Sequence, residues 1–224
     1  MVHLEFHCHT IYSSDSLLTP ARLLAACQRK GIIRVVITDH NTLTGALEAQ
    51  QLDPQRVILG EEIMTQRGEL LAAFVKEEVP PGLTPSETIE RLRLQGAFIS
   101  VSHPFDAFRK GHWDLPDLVE ILPAIDAIEI FNSRCLKPEF NKDAQDFARQ
   151  HGLAGTAGSD AHTAAELGRA MMVLPDFQTP SELKSAILQA EYRMKLSSPW
   201  IHFTSRYAVW RKGVSRIGDP AQAK

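Results

Sequence analysis

The chain begins with an apolar run that leads directly into a pair of histidines. Residues 2–16 have the sequence VHLEFHCHTIYSSDS, in which residues 2–6 are followed by His7, Cys8 and His9. Side chains two positions apart on a β-strand share a face, so His7 and His9 can turn their rings toward one cation while Cys8 faces away. Imidazole binds zinc, iron and manganese, and carboxylates from later in the chain are the expected partners. This stretch therefore predicts a metal site at the end of a strand.

Histidine and acidic residues follow four further short runs of strand-like sequence. The groups are Asp39 and His40 after residues 32–37, Glu61 and Glu62 after residues 57–59, His103 after residues 98–101, and Asp160 and His162 after residues 155–159. A single pair of histidines arises easily by chance, whereas five groups at the ends of predicted strands do not. The strand ends of an α/β barrel converge on one mouth. The pattern therefore predicts that these side chains meet there.

The composition is that of one globular domain with an ordinary core. The chain has 224 residues, of which 44% are hydrophobic, and a net charge of -3. That charge gives no footprint for general duplex nucleic-acid binding. The three cysteines are few, odd in number and widely spaced, which favours a reducing compartment. No apolar stretch reaches the roughly 20 residues that span a bilayer. We expect a cytoplasmic protein with no membrane partner.

Strands and helices alternate along the chain, which favours a mostly parallel sheet covered on both faces. The predicted strands are residues 2–6, 32–37, 57–59, 69–75, 97–101, 126–131 and 153–157. The predicted helices are residues 20–30, 42–51, 84–95, 115–121 and 137–151, segments after His162, and residues 181–189. No GxGxxG motif follows the first strand, so a barrel fits better than an open dinucleotide-binding sheet.

The last part of the chain changes character. Residues 199–224 carry five basic residues against the single acid Asp219, interleaved with aromatic residues. We therefore divide the chain into a barrel, residues 1–198, and a C-terminal extension, residues 199–224. We expect the aromatic side chains of the extension to pack on the barrel while its charges stay in water. The alternative is a basic lip or partner surface. Residues beyond Gly218 are expected to fray.

Five motifs, taken in chain order, resemble those of the PHP (polymerase and histidinol phosphatase) family. They are His7-x-His9 with Tyr12-Ser13-x-Asp15-Ser16, then Thr38-Asp39-His40, Gly60-x-Glu62-Ile63, Ser102-His103-Pro104 and Gly158-Ser159-Asp160-Ala161-His162. The resemblance extends from Val2 to about Gly168. It implies an α/β fold, a distorted seven-stranded (β/α)7 barrel of the PHP type, and a metal-dependent phosphoesterase.

The resemblance also implies two to three clustered divalent ions, which would be manganese, zinc or iron. The implied ligands are His7, His9 and Asp160 for the first ion, Glu62 and His103 for a second ion that Glu62 bridges to the first, and Asp15, His40 and His162 for the third. Relatives commonly place a further histidine on or just after the fourth strand, but residues 70–78 contain none. We therefore expect the second site to be weak, to be completed by water or substrate, or to be filled only in the complex.

Three side chains are candidates for direct roles in the reaction. His40 or His162 could protonate the leaving oxygen, and the sequence leaves open which one does so. Arg134, just past the sixth strand, could reach a phosphate at the barrel mouth, since its planar fork matches phosphate geometry. The alternative for Arg134 is a solvated loop residue.

Other polar residues near the motifs are expected to play supporting or structural roles. Asp39 is expected to orient a histidine rather than to bind metal directly, and Glu61 to be an exposed neighbour of Glu62. The remaining expectations are a loop over the site lined by Arg109, Lys110 and His112, a weaker phosphate candidate in Arg169, and structural or surface roles for His3, His151 and His202.

The leading functional hypothesis is a phosphoesterase that hydrolyses a phosphate ester with metal-activated water. Its substrate partner would be a small phosphorylated metabolite, a nucleotide or a short oligonucleotide. One alternative is an amidohydrolase-like metal hydrolase, because that class also opens with a histidine pair on a barrel strand. The other alternative is a non-catalytic metal-binding or regulatory PHP module, which the missing histidine suggests.

Overall fold

One curved sheet forms the centre of the structure. The computed structural model describes residues 1–217. The strands of this part are β1 (Val2–Glu5), β2 (Arg34–Ile37), β3 (Val57–Met64), β4 (Glu69–Ala73), β5 (Phe98–Val101), β6 (Ala127–Asn132), β7 (Ala154–Gly158), β8 (Ala170–Leu174) and β9 (Glu191–Met194). The helices are α1 (Pro20–Lys30), α2 (Thr44–Leu52), α3 (Pro85–Leu94), α4 (Leu115–Ile121), α5 (Pro138–His151), α6 (Pro180–Ile187) and α7 (Ile201–Ile217), with a short 3-10 helix at Leu122–Ala124.

The sheet closes most of the way into a barrel. Its strand order is β7-β6-β5-β4-β3-β2-β1-β8-β9. β1, β2 and β3 run parallel, as do β5, β6 and β7, while β4 lies antiparallel between the two sets. An isolated parallel bridge joins Cys8, past the end of β1, to Ala161, past the end of β7. The predicted α/β barrel is therefore confirmed, and its mouth lies where the parallel strands end.

Several helix boundaries follow the local signals in the sequence. Thr19 caps α1 by accepting a hydrogen bond from the backbone N–H of Arg22, and Pro20 occupies the first turn. Thr84 and Glu87 form the predicted capping box at the start of α3. Gly31 ends α1 in the left-handed region with φ +68°, which a glycine adopts without steric cost.

The described residues contain two strands more than the seven that the sequence predicts. The predicted helical segment after His162 is wrong, because residues 163–168 form turns and β8 follows them. β8 is a run of five apolar residues, too short for periodicity to separate strand from helix. β3 also continues through Glu61 and Glu62 to Met64. Gly60 lies inside this strand, and a larger residue does not fit there because its Cβ would meet Val36 Cγ1 at 2.4 Å.

The C-terminal extension forms α7 and leaves its aromatic residues in water. The expectation that they pack on the barrel is wrong for Trp200, Phe203, Tyr207 and Trp210, of which 74%, 60%, 52% and 62% is exposed. The helix contacts the barrel through smaller residues such as Ala208, which is buried. The predicted fraying beyond Gly218 lies outside the described residues.

Apolar side chains fill both sides of the sheet. Inside the barrel, Leu4, Phe6, Leu71 and Phe98 pack together and are fully buried. Burial of such side chains supplies roughly 1.5–3 kcal/mol each. Within residues 1–217, no helix has the length and apolar character needed to cross a bilayer.

Candidate metal centre

Histidine and carboxylate side chains meet at the mouth of the barrel. The cluster contains the eight residues predicted as ligands and also Glu69, which the sequence analysis missed. Its members are His7, His9, Asp15, His40, Glu62, Glu69, His103, Asp160 and His162. Three sets bring their ligand atoms within 4.8 Å of one another: His7, His9 and Glu62; His40, Glu62 and Glu69; and His9, His40 and His162.

His7 is held in one orientation by a buried carboxylate from β6. Its Nδ1 lies 2.9 Å from Glu129 Oε1, and Glu129 Oε2 accepts a hydrogen bond from the backbone N–H of His103 at 2.8 Å. An Nδ1–H donated to Glu129 directs Nε2 into the cluster, which is how outer carboxylates fix a metal-binding histidine. Sequence analysis missed Glu129. The available signal is an acid in the middle of an apolar strand, IEIF, at residues 128–131.

His9 is held in the corresponding way through a hydroxyl. Ser13 donates its hydroxyl to Asp39 Oδ1 at 2.6 Å, so its oxygen is free to accept from His9 Nδ1 at 3.2 Å. Asp39 also accepts from the backbone N–H and the hydroxyl of Thr10, at 2.6 and 2.5 Å. Asp39 thus orients His9 through Ser13, one link further away than predicted. Burial, followed by the charges of His162 and His40, lowers the pKa of His9 to about 3, so its Nε2 carries a lone pair.

The atoms between His7, His9, Glu62 and Asp160 fit a bound cation. His7 Nε2 and His9 Nε2 lie 3.1 Å apart, and Glu62 Oε2 and Asp160 Oδ1 lie 3.4 and 3.2 Å from His9 Nε2. Both carboxylate oxygens are buried without a hydrogen-bond partner. Burial opposes a charged His7, but Glu62, Glu129 and Asp160 raise its pKa well above the usual range. The carboxylates therefore favour positive charge between these side chains, which a divalent cation would supply.

A second group joins β3 and β4 to the loop after β5. His103 Nε2 lies 3.2 Å from Glu62 Oε1 and 3.3 Å from Glu69 Oε2, and His40 Nδ1 lies 3.0 Å from Glu62 Oε2. Glu69 is the first residue of β4, one position before the segment in which a further ligand was sought. Burial, and then the charge of Glu62, raise the pKa of Glu69. The expectation that the second group lacks a ligand is therefore wrong, because the carboxylate of Glu69 lies there in place of a histidine.

The third group lies on the outer side of the mouth. Asp15 Oδ2 is 2.8 Å from His162 Nε2, and Asp15 Oδ1 is 3.7 Å from His40 Nε2. Burial alone would raise the pKa of Asp15, but the charge of His162 and the hydrogen bond to it lower that pKa below its usual range. Asp15 Oδ1 has no hydrogen-bond partner of its own. His40 stands between the second and third groups, with one ring nitrogen facing each.

Backbone strain is concentrated at this mouth. His103 and Asp160 have φ values of +20° and +50°, and Asn41, beside His40, has +55°. Residues other than glycine rarely adopt this region, and such strain persists where the surrounding structure fixes it, often at functional sites. The loops that follow the strands are thus held in conformations that point His103 and Asp160 inward.

Two arginines reach the cluster. Arg109, predicted to line a loop over the site, places Nη2 2.6 Å from Asp160 Oδ2. Arg134 is buried, so the solvated alternative is wrong; its Nη1 contacts His162 Nδ1 and its Nη2 donates to Ser205 Oγ on α7 at 2.8 Å. Arg169 donates instead to the carbonyl of Leu196, which makes it a structural residue in this state.

Several other expectations concern residues around the cluster. Glu61 is fully buried, so its predicted exposure is wrong. It faces away from Glu62 and accepts from the backbone N–H of Val79, and burial raises its pKa to about 8. His3 and His151 lie outside the cluster, as expected, against Gly31 and Phe147.

Comparison with known proteins places the chain in a family. Residues 5–116 match the PHP domain model and residues 138–192 match the PHP-associated model. This protein belongs to the PHP family. An uncharacterized protein of Methanocaldococcus jannaschii is 34% identical in an alignment of 214 positions that covers 88% of this chain and 86% of that protein.

Solved structures of PHP-like barrels share the fold at low identity. A protein of Bifidobacterium adolescentis, assigned as a metal-dependent phosphoesterase, aligns with TM-score 0.62 and 18% identity over 84% of this chain and 96% of its own. An amidohydrolase of Chromobacterium violaceum aligns with TM-score 0.61 and 14% identity over 81% and 96%. The lesion-specific endonuclease of Pyrococcus furiosus aligns with TM-score 0.58 and 19% identity over 88% and 59%.

Proposed function

We propose that this PHP protein is a metal-dependent phosphoesterase, which hydrolyses a phosphate ester of a small metabolite, a nucleotide or a short oligonucleotide. The observation that carries the proposal is the set of inward-facing ligand atoms around Glu62. Two buried carboxylate oxygens without hydrogen-bond partners, Glu62 Oε2 and Asp160 Oδ1, lie 3.0–3.4 Å from ring nitrogens of His9 and His40. The other ring nitrogen of each histidine faces another residue of the protein. Hydrolases of this family are metal-dependent, and that donor set suits zinc, manganese or iron.

The three groups described above provide enough ligands for two to three divalent ions. We assign His7, His9, Glu62 and Asp160 to the first, and Glu62, Glu69 and His103 to the second. Asp15, His40 and His162 remain for the third, with His40 also able to reach the second. When bound, clustered divalent ions lower the pKa of water and neutralise charge on phosphoryl oxygens.

The arginines at the mouth suit an anionic substrate. Arg109 is paired with Asp160, and its side chain is 22% exposed. A cation bound by Asp160 would compete for that carboxylate and leave the Arg109 guanidinium available to a phosphate oxygen. The side chain of Arg134 is 3% exposed and already bonded, so its contribution is to hold His162 and α7 in place. We propose that a substrate contacts only the edge of the Arg134 guanidinium.

Of the two proton-donor candidates, His40 is the more accessible. Its side chain is 25% exposed, against 3% for His162, whose Nδ1 lies 2.8 Å from the carbonyl of Asp160. Burial disfavours the charged ring of His40, but Glu62, Asp15 and Glu69 outweigh it and raise its pKa to about 10. We propose that His40 Nε2 donates a proton to the leaving oxygen when Asp15 and His162 hold the third ion without it, since a ring nitrogen bound to a cation carries no proton to give.

The proposal includes the division of the chain into a barrel, residues 1–198, and an extension, residues 199–224. Both family models end before the extension, at residues 116 and 192. The barrel carries every proposed metal ligand, and Arg134 joins it to the extension through Ser205 on α7.

The test combines metal analysis with ester hydrolysis. Protein loaded with manganese, zinc or iron should hold two to three ions per chain and release phosphate or alcohol from a panel of phosphomonoesters and phosphodiesters. Asp160→Ala should abolish release, since Asp160 faces both His9 and Arg109. The matched control is Asp176→Ala, which removes an exposed carboxylate paired with Arg34 and should leave hydrolysis unchanged.

Other outcomes would favour the alternatives. Hydrolysis of amides but not of phosphate esters would identify an amidohydrolase-like enzyme, to which one structural neighbour's name points. Full metal occupancy without turnover on either panel would indicate a regulatory module. Failure to bind any of the three metals would refute the ligand assignment.

A further inference from the structure

The exposed face of α7 carries an unusual row of aromatic rings. Trp200, Phe203, Tyr207 and Trp210, here called the aromatic stripe, follow one another at intervals of three, four and three residues, which places them on one face of a helix. More than half of each side chain is exposed. Two neighbouring pairs have ring centroids 5.5 and 5.8 Å apart. At 1.5 Å per residue the stripe is about 15 Å long.

The aspartate, glutamate, lysine and arginine charges on α7 itself are all of one sign. The sequence of α7, IHFTSRYAVWRKGVSRI, contains no aspartate or glutamate. Arg206 lies three positions after Phe203, Arg211 lies four positions after Tyr207, and both are exposed. The chain as a whole has a net charge of -3, so this basic face is a local feature of the extension.

The stripe leads directly to the candidate metal centre. Tyr207 lines a cavity of about 150 Å³ together with Asp15 and His162, and exposed Arg22 of α1 forms part of its wall. Lys212 donates to the carbonyls of Ile11 and Ser13, in the loop that follows β1. A chain molecule lying along α7 would therefore pass beside the proposed ligands Asp15 and His162 at Tyr207.

We propose that α7 and Trp200 bind single-stranded nucleic acid, with bases stacked on the aromatic stripe and phosphates paired with Arg206 and Arg211. Aromatic rings interleaved with cations along a groove are the usual means of binding unpaired strands. The inference rests on the proposed function, because it selects the oligonucleotide among the substrates named there. A second copy of the chain fits less well, because pairing two such helices would place arginines against arginines.

The test measures binding separately from hydrolysis. Fluorescence anisotropy of a labelled oligothymidylate and a labelled oligoadenylate, each of about 12 nucleotides, is followed in EDTA so that no turnover occurs. Wild-type protein should bind both, and the matching duplex should bind at least tenfold more weakly. Trp210→Leu should weaken binding about tenfold or more, while Trp210→Phe should retain most of it, since each stacked base contributes roughly 1–3 kcal/mol.

Two controls separate stacking and charge from general effects. Leu94→Ala removes a side chain that is 82% exposed on α3 and should leave binding unchanged. Replacing Arg206 and Arg211 by Gln should lower the slope of log affinity against log salt by about 1.4, because each phosphate contact contributes about 0.7 for a single strand.

The outcomes distinguish this inference from the proposed function. Hydrolysis of a small ester such as bis(p-nitrophenyl) phosphate by the wild-type protein, together with no binding of either oligonucleotide, would overturn the inference and leave the phosphoesterase standing. Binding without ester hydrolysis under any metal would refute the phosphoesterase alone. Equal loss in Trp210→Leu and Trp210→Phe, binding only to phosphatidylglycerol vesicles, or a dimer that Trp210→Leu dissociates would each overturn the stacking model.

Discussion

Replacing Glu69 by Gln should remove one bound ion while leaving the metal-free fold intact. Glu69 Oε2 lies 3.3 Å from His103 Nε2, and its other oxygen lies 3.8 Å from His40 Nδ1. In the metal-free protein the pKa of Glu69 is raised by burial and by the nearby Glu62 charge, so a neutral side chain relieves repulsion there. In the metal-bound protein the same change removes a charged ligand. The substitution therefore acts in opposite directions in the two states.

The expected magnitude follows from linkage between binding and folding. Loss even of a residue that only supports a metal ligand typically costs 10–100-fold in affinity, so loss of a ligand should cost about 100-fold or more. A metal present at about 100 times its Kd stabilises the fold by about 2.7 kcal/mol, and after a 100-fold loss of affinity by only about 0.4 kcal/mol. Urea unfolding in EDTA and in manganese measures both quantities. The difference between them should fall by about 2 kcal/mol in Glu69→Gln.

The matched control is Glu61→Gln on β3. Glu61 is buried on the opposite side of the strand, and its pKa of about 8 keeps it largely neutral at pH 7, so Gln preserves its charge state. Its metal content and metal-dependent stabilisation should equal those of the wild type. If Glu69→Gln binds the same number of ions with unchanged affinity, or if Glu61→Gln loses an ion, the assignment of Glu69 to the second group is refuted.

Three further substitutions test the groups that support the site and the fold. Glu129→Gln should weaken metal binding roughly 10–100-fold in titrations, because the carboxylate that fixes His7 at 2.9 Å is lost; unchanged affinity would contradict the role of Glu129. Gly158→Ala should destabilise the fold by roughly 1–3 kcal/mol and lower metal content, since the new Cβ would meet His7 Cβ at 2.2 Å; a wild-type Tm and metal content would show that β7 can move aside. Burial opposes the charge of Asp126, but hydrogen bonds from residues that include Arg93 outweigh it and lower its pKa. The stability that Asp126 adds is present above its unfolded pKa of roughly 4 and is lost as the pH falls through the lower folded value. Asp126→Asn should cost roughly 1–2 kcal/mol at pH 7 and reduce the dependence of stability on pH below about 4, and an unchanged pH profile would count against this account.

The proposed ligands that the sequence predicted follow shortly after predicted strands. Asp15 lies in the loop after the first of these strands. Such positions are visible in the sequence because apolar runs end abruptly in histidine or acid. Glu129 is different, because it lies inside β6 with apolar residues on both sides. A lone acid within a strand has no periodic signal to mark it as a partner of His7, and its partner is 122 residues away. Only the closed barrel brings the two together.

The aromatic residues of the extension illustrate a second limit. Their spacing of three and four residues is readable from the sequence and predicts a helix with one apolar face. Whether that face is buried depends on what lies opposite to it, which spacing does not reveal. In the structure the contacts with the barrel include Ser205, Ala208 and Lys212, and more than half of each aromatic residue stays exposed.

The direction of β4 explains why Glu69 was missed. In a fully parallel barrel every strand ends at the mouth, so a search for ligands begins where each apolar run stops. β4 runs antiparallel to β3 and β5, with Glu69 paired to Met64 and Ala73 paired to Gly60. Its first residue therefore lies at the mouth and its last residue lies at the opposite end of the barrel. Along β4, from Leu70 to Ala73, a search for a histidine moves away from the metal centre with each step. Gly111 lies directly beside Glu69, and a Cβ on Gly111 would come within 2.0 Å of the Glu69 carboxylate. Because residue 111 is a glycine, the loop that carries Arg109 can pack directly over this ligand. The antiparallel strand β4 thus places the carboxylate of Glu69 at the mouth, against the loop from which Arg109 reaches Asp160.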